Sequence, residues 1–363
     1  VFTDYARNWG TNGIVIDSNG LNYQGDDDSY DVEYTTDGMT LAITYMDATQ
    51  GWVPTIDEAV TDAPLPPGNS EGIFGYGGTG GSGDTKVSMT NLVSNAGVVS
   101  SDITGVGTAR NSLAACEYGG DKGIFGFGMT DDAGGTTAAT NLVSNAGVVA
   151  TDVTGVGTTR HSIVACGYGE DKGIFGLGQD ASWYAVGMTN LVSNAGVVAT
   201  DVTAVATARQ TAAATQYGED KGIFGFGNSS TYLSITNLVS NAGVVATDVT
   251  GVGTARNQLA ACNYGEDRDK GIFGFGYDSS SVVSVTNLVS NAGVVATDTT
   301  GVGTARRYLA ACEYGGDKGI FGFGFDGSGH LSMTNLVSNA GVVATDVTGV
   351  GTGRRGPAAC AFN

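Results

Sequence analysis

The strongest constraint on this chain is a sentence of about fifty residues written six times. Its tetrad Gly-Ile-Phe-Gly starts at Gly72, Gly123, Gly173, Gly222, Gly271 and Gly319, so successive copies lie 51, 50, 49, 49 and 48 residues apart. The decapeptide TNLVSNAGVV follows in every copy, from Thr90, Thr140, Thr189, Thr236, Thr286 and Thr334. A period near fifty marks stacked or radially arranged supersecondary units.

Within the copy at residues 221–267, the runs LAACNY, GIFGFG, YLSITNLVS and GVVATDVTG are short and rich in Val, Ile, Thr and Phe. They are separated by YGED, SSTY and SNAG, which have turn chemistry. No stretch carries apolar residues at i, i+3, i+4 and i+7 over the ten or more residues a helix needs. Each copy therefore reads as a four-stranded antiparallel sheet with two apolar faces to hide and two edges to protect. Wheeling six such sheets about an axis does both, so an all-β, six-bladed β-propeller is expected over residues 71–363.

The first copy begins directly at Glu71-Gly72, without the arginine-led segment that precedes the tetrad elsewhere. That segment stands at the C-terminus, where RRGPAACAF (354–362) matches RNSLAACEY (110–118). The last residues are expected to supply the innermost strand of the first blade and close the ring.

The pattern R-x-x-x-A-A-x-x-Y-G-x-D-K-G-I-F-G-F-G, followed by a strand, a turn and a second strand, resembles the kelch motif. In that motif an arginine precedes the inner strand and a Gly-Gly doublet closes the second. Here the doublet is spread as Gly-Phe-Gly, and Val stands where kelch repeats usually carry Trp. The resemblance implies a kelch-like propeller.

Residues 1–60 do not share the repeat. GIVIDSNGLNYQ, YDVEYTTDG, MTLAITYMD and GWVPTI alternate and break at Asn-Gly and Asp-Gly, as in a small β domain of about four strands. The stretch TLAITYMDATQGWVPT resembles a short module of bacteriophage tail-fibre and other virion proteins, where it precedes variable binding domains. Residues 61–70, TDAPLPPGNS, hold three of the five prolines and read as a semi-stiff linker. No run of eighteen apolar residues is present and Val1 opens without a signal-peptide pattern, so no membrane span or signal peptide is expected. The chain reads as a processed or N-terminally incomplete product.

A formal charge of −20 argues against partners with an anionic backbone or bilayer surface, which call for clustered Lys and Arg. Nucleic acid and membrane insertion are therefore not expected. Asp26, Asp27 and Asp28, with Asp31 and Glu33, are carboxylate-rich enough for Ca²⁺. They lack the spaced D-x-D-x-D-G loop and read rather as a solvated acidic turn, and no other cofactor is suggested. The five cysteines, Cys116, Cys166, Cys262, Cys312 and Cys360, occupy equivalent inner-strand positions with Thr215 at the sixth, and are expected to be free and buried. Asp102, Asp152, Asp201, Asp248, Asp298 and Asp346 each precede by eight residues Arg110, Arg160, Arg209, Arg256, Arg306 and Arg354. Flanking one connection, each Asp and Arg read as a structural pair that holds a crossing between blades.

Catalytic constellations are missing from the pattern. The two histidines, His161 and His330, lie in different contexts, and there is no Ser-His-Asp order, H-E-x-x-H or metal-spaced cluster. A copper radical oxidase on a kelch-like ring would need paired His and Tyr ligands, whereas a glycoside hydrolase needs only two carboxylates. The positive signal lies where the copies differ. One variable segment follows GIFGFG and the other is the pair after the recurring arginine, while SNAG hardly changes. If strands alternate in direction, both variable segments fall on one face.

The expected function is non-enzymatic recognition of a host-surface glycan or protein by that face, through His161, Trp183, Tyr184, Tyr232, Tyr277, Arg307, Tyr308 and His330. The N-terminal domain would attach to other virion or fibre subunits, placing the protein on a virion surface or outside the cell. The alternatives are a structural component assembling through the invariant face and, third, a carbohydrate-active enzyme.

Overall fold

The structure, a computed structural model, describes residues 1–25, 32–59, 70–80, 84–131, 133–203, 206–265 and 268–363. It is all-β. Among the described residues there is no α-helix, and the strands form small antiparallel sheets of two or three members. The chain divides into two compact units, Val1–Pro66 and Pro67–Asn363. Of the linker segment 61–70 only Ser70 is described. The candidate calcium carboxylates Asp26, Asp27, Asp28 and Asp31 lie outside the described residues.

In the first unit residues 40–55 lie in a hairpin of Met39–Asp47 against Gly51–Ala59, with Phe2–Thr3 paired on the outer side of Met39–Asp47. Ile14–Ile16 pairs with Val32–Tyr34. The hairpin turn is fixed by Asp47 Oδ1, which accepts the N–H of Thr49 at 2.8 Å and of Gln50 at 2.7 Å. Gly51 closes it at φ 66°, where a Cβ would fall 1.6 Å from the carbonyl oxygen of Asn22, so only glycine is admitted. Trp9, Tyr23, Met39, Leu41 and Ala42 make the buried core.

In the second unit each copy builds one sheet, for example Ala114–Tyr118, Lys122–Gly126 and Thr140–Val143, in that order. The first copy takes its leading strand from the other end of the chain: Ala358–Phe362 pairs antiparallel with Glu71–Gly75, which pairs with Thr90–Val93. The fourth segment of each copy is not a regular strand. It pairs with Thr140–Val143 at the bridges Val143–Val149 and Thr140–Val153, a step of three residues facing a step of four, with the Ala150 N–H donating to Leu142 O at 2.8 Å between them. The extra residue bulges, and the side chain of Asn141 replaces the missing ladder by donating from Nδ2 to Ala150 O at 3.0 Å and Asp152 Oδ1 at 2.9 Å.

The middle strand explains the tetrad. Ile124 and Phe125 point to opposite faces and both are fully buried, so both faces of the sheet are covered by neighbours. Each flanking glycine makes room for an adjacent copy. A Cβ on Gly123 would lie 2.4 Å from Cys360 Sγ, and one on Gly126 would lie 2.7 Å from the Phe175 ring. Six hydrophobic clusters result, each shared by two consecutive copies, and the cluster of Phe74 and Val93 with Cys312 and Phe323 joins the sixth copy to the first.

The six recurring arginines are fully buried. Arg256 donates from Nε to Phe275 O at 2.9 Å, from Nη1 to Thr254 O at 3.2 Å and from Nη2 to Asn287 Oδ1 at 2.7 Å, and its guanidinium lies 4.2 Å from the centre of the Phe226 ring in the preceding copy. Its carboxylate is Asp298, at 3.9 Å. The pairing runs Arg110–Asp152, Arg160–Asp201, Arg209–Asp248, Arg306–Asp346 and Arg354–Asp102 in the other copies. This corrects the pairing read from the sequence, which joined each Asp to the Arg eight residues later. Each arginine's partner is instead the aspartate at the other end of the same copy, or Asp102 for Arg354.

Candidate functional site

The residue after each recurring arginine pairs through the backbone with the residue that follows GIFGFG. These pairs are Asn111–Met129, His161–Gln179, Gln210–Asn228, Asn257–Tyr277, Arg307–Phe325 and Arg355–Gly78. The two variable segments are thus one surface. The next residues, Ser112, Ser162, Thr211, Gln258, Tyr308 and Gly356, are all left-handed, with φ from 51° to 60°. Their backbones form a circuit: Ser162 donates to Ser112, Thr211 to Ser162, Gln258 to Thr211, Tyr308 to Gln258, Gly356 to Tyr308 and Ser112 to Gly356, at 2.7–3.0 Å. The strain of five non-glycine residues in that region, on the order of 1 kcal/mol each, is offset by six satisfied N–H groups. The circuit frames a mouth of about 70 Å³.

Four variable loops share one anchor under different side chains. Asp131, Asp180, Asp278 and Asp326 each accept two backbone N–H bonds at Oδ1 from residues two to four further on, so the loops are held as Asx turns. Trp183 sits in this frame at φ 65°, 49% exposed, beside Tyr184 at 72%. His161 was expected on the surface but is buried, because the Trp183 ring covers it edge-on at 5.0 Å. Burial pushes its imidazole below the usual range, against the pull of Asp180.

The other candidates form one patch across the remaining copies. Tyr232 lies 6.0 Å from Tyr277, and Arg307 lies 4.9 Å from the Tyr277 ring, 5.6 Å from Tyr308 and 5.7 Å from Phe325. Arg355 lies 5.8 Å from Tyr308 and bonds through Nε to Asp84 Oδ2 at 2.8 Å, while His330 Nε2 meets Asp84 Oδ1 at 3.2 Å. Asp84 is buried and also accepts from Asn111 Nδ2 at 3.2 Å. Tyr232, Tyr277, Arg307, Tyr308 and His330 are half-buried, so only Trp183 and Tyr184 among the predicted residues are largely exposed. Asp84 and Phe325 were not singled out from the sequence. They lie in the segments that vary, which was the available signal.

At the opposite end the SNAG turns are constant, but the copies differ in the penultimate residues of the leading strands, Glu117, Gly167, Gln216, Asn263, Glu313 and Ala361, and in the length of one hairpin. The hairpin YGEDRDK (264–270) is two residues longer than its equivalents, and its Arg268 bonds to Glu117 at 2.9 Å and Glu313 at 3.1 Å. Asn263 also donates to Glu313. Burial raises the Glu313 carboxyl above the usual range, Arg268 draws it back and Glu117 raises it again, for a net rise to about 8. The cluster caps a cavity of about 50 Å³, lined by residues of the six leading strands and room for only a few water molecules. All five cysteines line it, free and buried, and burial pushes Cys166 up to about 12. The hairpins had been read only as turns. Their one insertion was the clue to this cluster. Around them the SNAG turns expose Val98, Val148, Val197, Val244, Val294 and Val342 at 64–65% each. Among the described residues no group of three or more His, Cys, Asp or Glu is placed to hold a metal.

Compared with models of known protein families and with the sequences of curated proteins, the chain matches none.

Proposed function

We propose that residues 71–363 form a closed six-bladed β-propeller of kelch-like construction, and that the end where the copies differ binds a host-surface glycan or protein without turnover. The closure is supported by the backbone circuit through six copies, by the cluster joining the sixth copy to the first, and by the C-terminal strand paired into the first sheet. In this reading residues 1–60, with their virion-like hairpin, attach the protein to other virion or fibre subunits.

The observation that carries the binding reading is the joining of both variable segments into one surface on an otherwise repeated frame. Drift of surface loops does not explain it, because the SNAG turns are equally exposed and stay constant. Exposed Trp183 and Tyr184, with the Tyr232–Tyr277 pair, offer the aromatic faces that sugar rings and peptide side chains stack on. Binding is favoured over hydrolysis because the two carboxylates nearest each other in the central cavity, Glu117 and Glu313, are both engaged by Arg268.

Probing the full chain on an array of host glycans and on intact host cells tests this. Specific retention that is lost in a Trp183→Ala, Tyr184→Ala variant of unchanged melting temperature is expected. No retention on either surface, or release of a cleaved product, overturns the reading. A second reading, assembly of like subunits through the invariant end, is favoured by the six equivalent exposed valines. Concentration-dependent association abolished by changing Val148 and Val197 to Ser would support it.

A further inference from the structure

Sixteen basic residues serve a chain of charge −20, and most are accounted for inside the repeat. The six recurring arginines have their aspartates, and Lys122, Lys172, Lys221, Lys270 and Lys318 each pair with the aspartate just before them. Arg268 bridges two glutamates and Arg355 holds Asp84. Arg307 differs. Its guanidinium is half-buried among Tyr277, Tyr308 and Phe325 and is paired with no carboxylate among the described residues; its Nε is buried without a hydrogen-bond partner, as are those of Arg160 and Arg354, but these two have Asp201 and Asp102.

The unpartnered atoms beside it follow a pattern. Asn257 Oδ1 and Gln258 Oε1, from the neighbouring copy, are buried acceptors with no donor, and Tyr308 N–H bonds to the Gln258 carbonyl, which places them next to Arg307–Tyr308. Buried polar atoms are rarely left unpaired without a reason. Amide oxygens call for hydroxyl donors, a guanidinium calls for an oxyanion in its fork, and the half-exposed Tyr232–Tyr277 pair calls for a flat or ring-shaped apolar face. A polyhydroxylated ring bearing one negative group satisfies all three.

We propose that Arg307, Asn257, Gln258 and the Tyr232–Tyr277 pair form a subsite for an anionic saccharide, its carboxylate or sulfate on Arg307 and its hydroxyls on the two amides. This rests on the recognition reading above and narrows its ligand. A local, unpaired cation is also what an anionic ligand requires, because the field of the whole chain repels it.

The test uses the full chain with matched probes by calorimetry or array: a neutral oligosaccharide, the same core ending in a uronic or sialic acid, and the same core sulfated. An acidic form should bind at least tenfold tighter than its neutral parent. In Arg307→Met that preference should vanish, so that the acidic and neutral forms bind alike, and Arg307→Lys should keep part of it. A preference for the carboxylate over the sulfate form, or the reverse, identifies the anion. Melting temperatures equal to the parent's guard against misfolding. If neutral glycans bind at this end as tightly as acidic ones, or the acidic preference survives Arg307→Met, the subsite is refuted while recognition stands. If no glycan binds but host protein does, including an acidic peptide, the saccharide is wrong. If nothing binds, both fall.

Discussion

Arg256 carries its charge into a fully buried site, and what keeps it there is a complete set of partners: two carbonyls, one amide, one ring and one carboxylate. Asp298 serves that site from the partly exposed side. Burial alone would raise its carboxyl, but bonds from Thr254 and Asn287 and the charge of Arg256 outweigh this and hold it below the usual range. A carboxyl lowered in the folded state stabilises at pH above its unfolded value, near 4, and loses that contribution as pH falls further. All six recurring aspartates share this shift, so stability should drop steeply below about pH 4. Asp298→Asn should lower stability at pH 7 by about 1–2 kcal/mol, and the gap to the parent should narrow between pH 5 and pH 3. Urea midpoints across that range check it, and a gap independent of pH contradicts the role given to the carboxylate. The recurrence of Asp and Arg was visible in the sequence, but which Asp meets which Arg was not, because that depends on where an extended connection delivers its end.

The strands were legible where both faces are buried. GIFG and TNLV recur without variation because nearly all their side chains are buried, on both faces of the sheet, and the missing ones at Gly123 and Gly126 make room for atoms of the preceding and the following copy. The fourth segment was not legible as irregular. Its Val and Thr have strand propensity, and only the side chain of Asn141, taking the place of a ladder partner, reveals the bulge. The leading strand of the first copy is the element whose removal is most informative. Truncation after Pro357 deletes Ala358–Phe362, leaves an edge of Glu71–Gly75 unpaired and exposes the cluster around Ile73 and Phe125. The loss should reach several kcal/mol, on the order of 4 or more, and lower the melting temperature accordingly. An unchanged melting temperature would mean that the pairing contributes nothing.

At the scale of the whole molecule, one frame presents two unlike ends. The end of the Asx-turn loops varies in side chain while its backbone circuit is constant, and the end of the SNAG turns repeats the same exposed valine six times. The sequence located both variable segments but overstated what is accessible. His161 is covered by Trp183, and Tyr308 is packed between two guanidiniums, since exposure depends on how neighbouring loops fold over one another. The central claim is that recognition belongs to the variable end alone. It is tested most directly by measuring retention on host cells of the full chain in three forms of equal melting temperature: the parent, Trp183→Ala with Tyr184→Ala and Arg307→Met, and Val148→Ser with Val197→Ser. The expected result is loss of at least tenfold in affinity, about 1.4 kcal/mol or more, for the second form and none for the third. Retention that survives the second set and fails with the third would place recognition at the opposite end and contradict the proposed function.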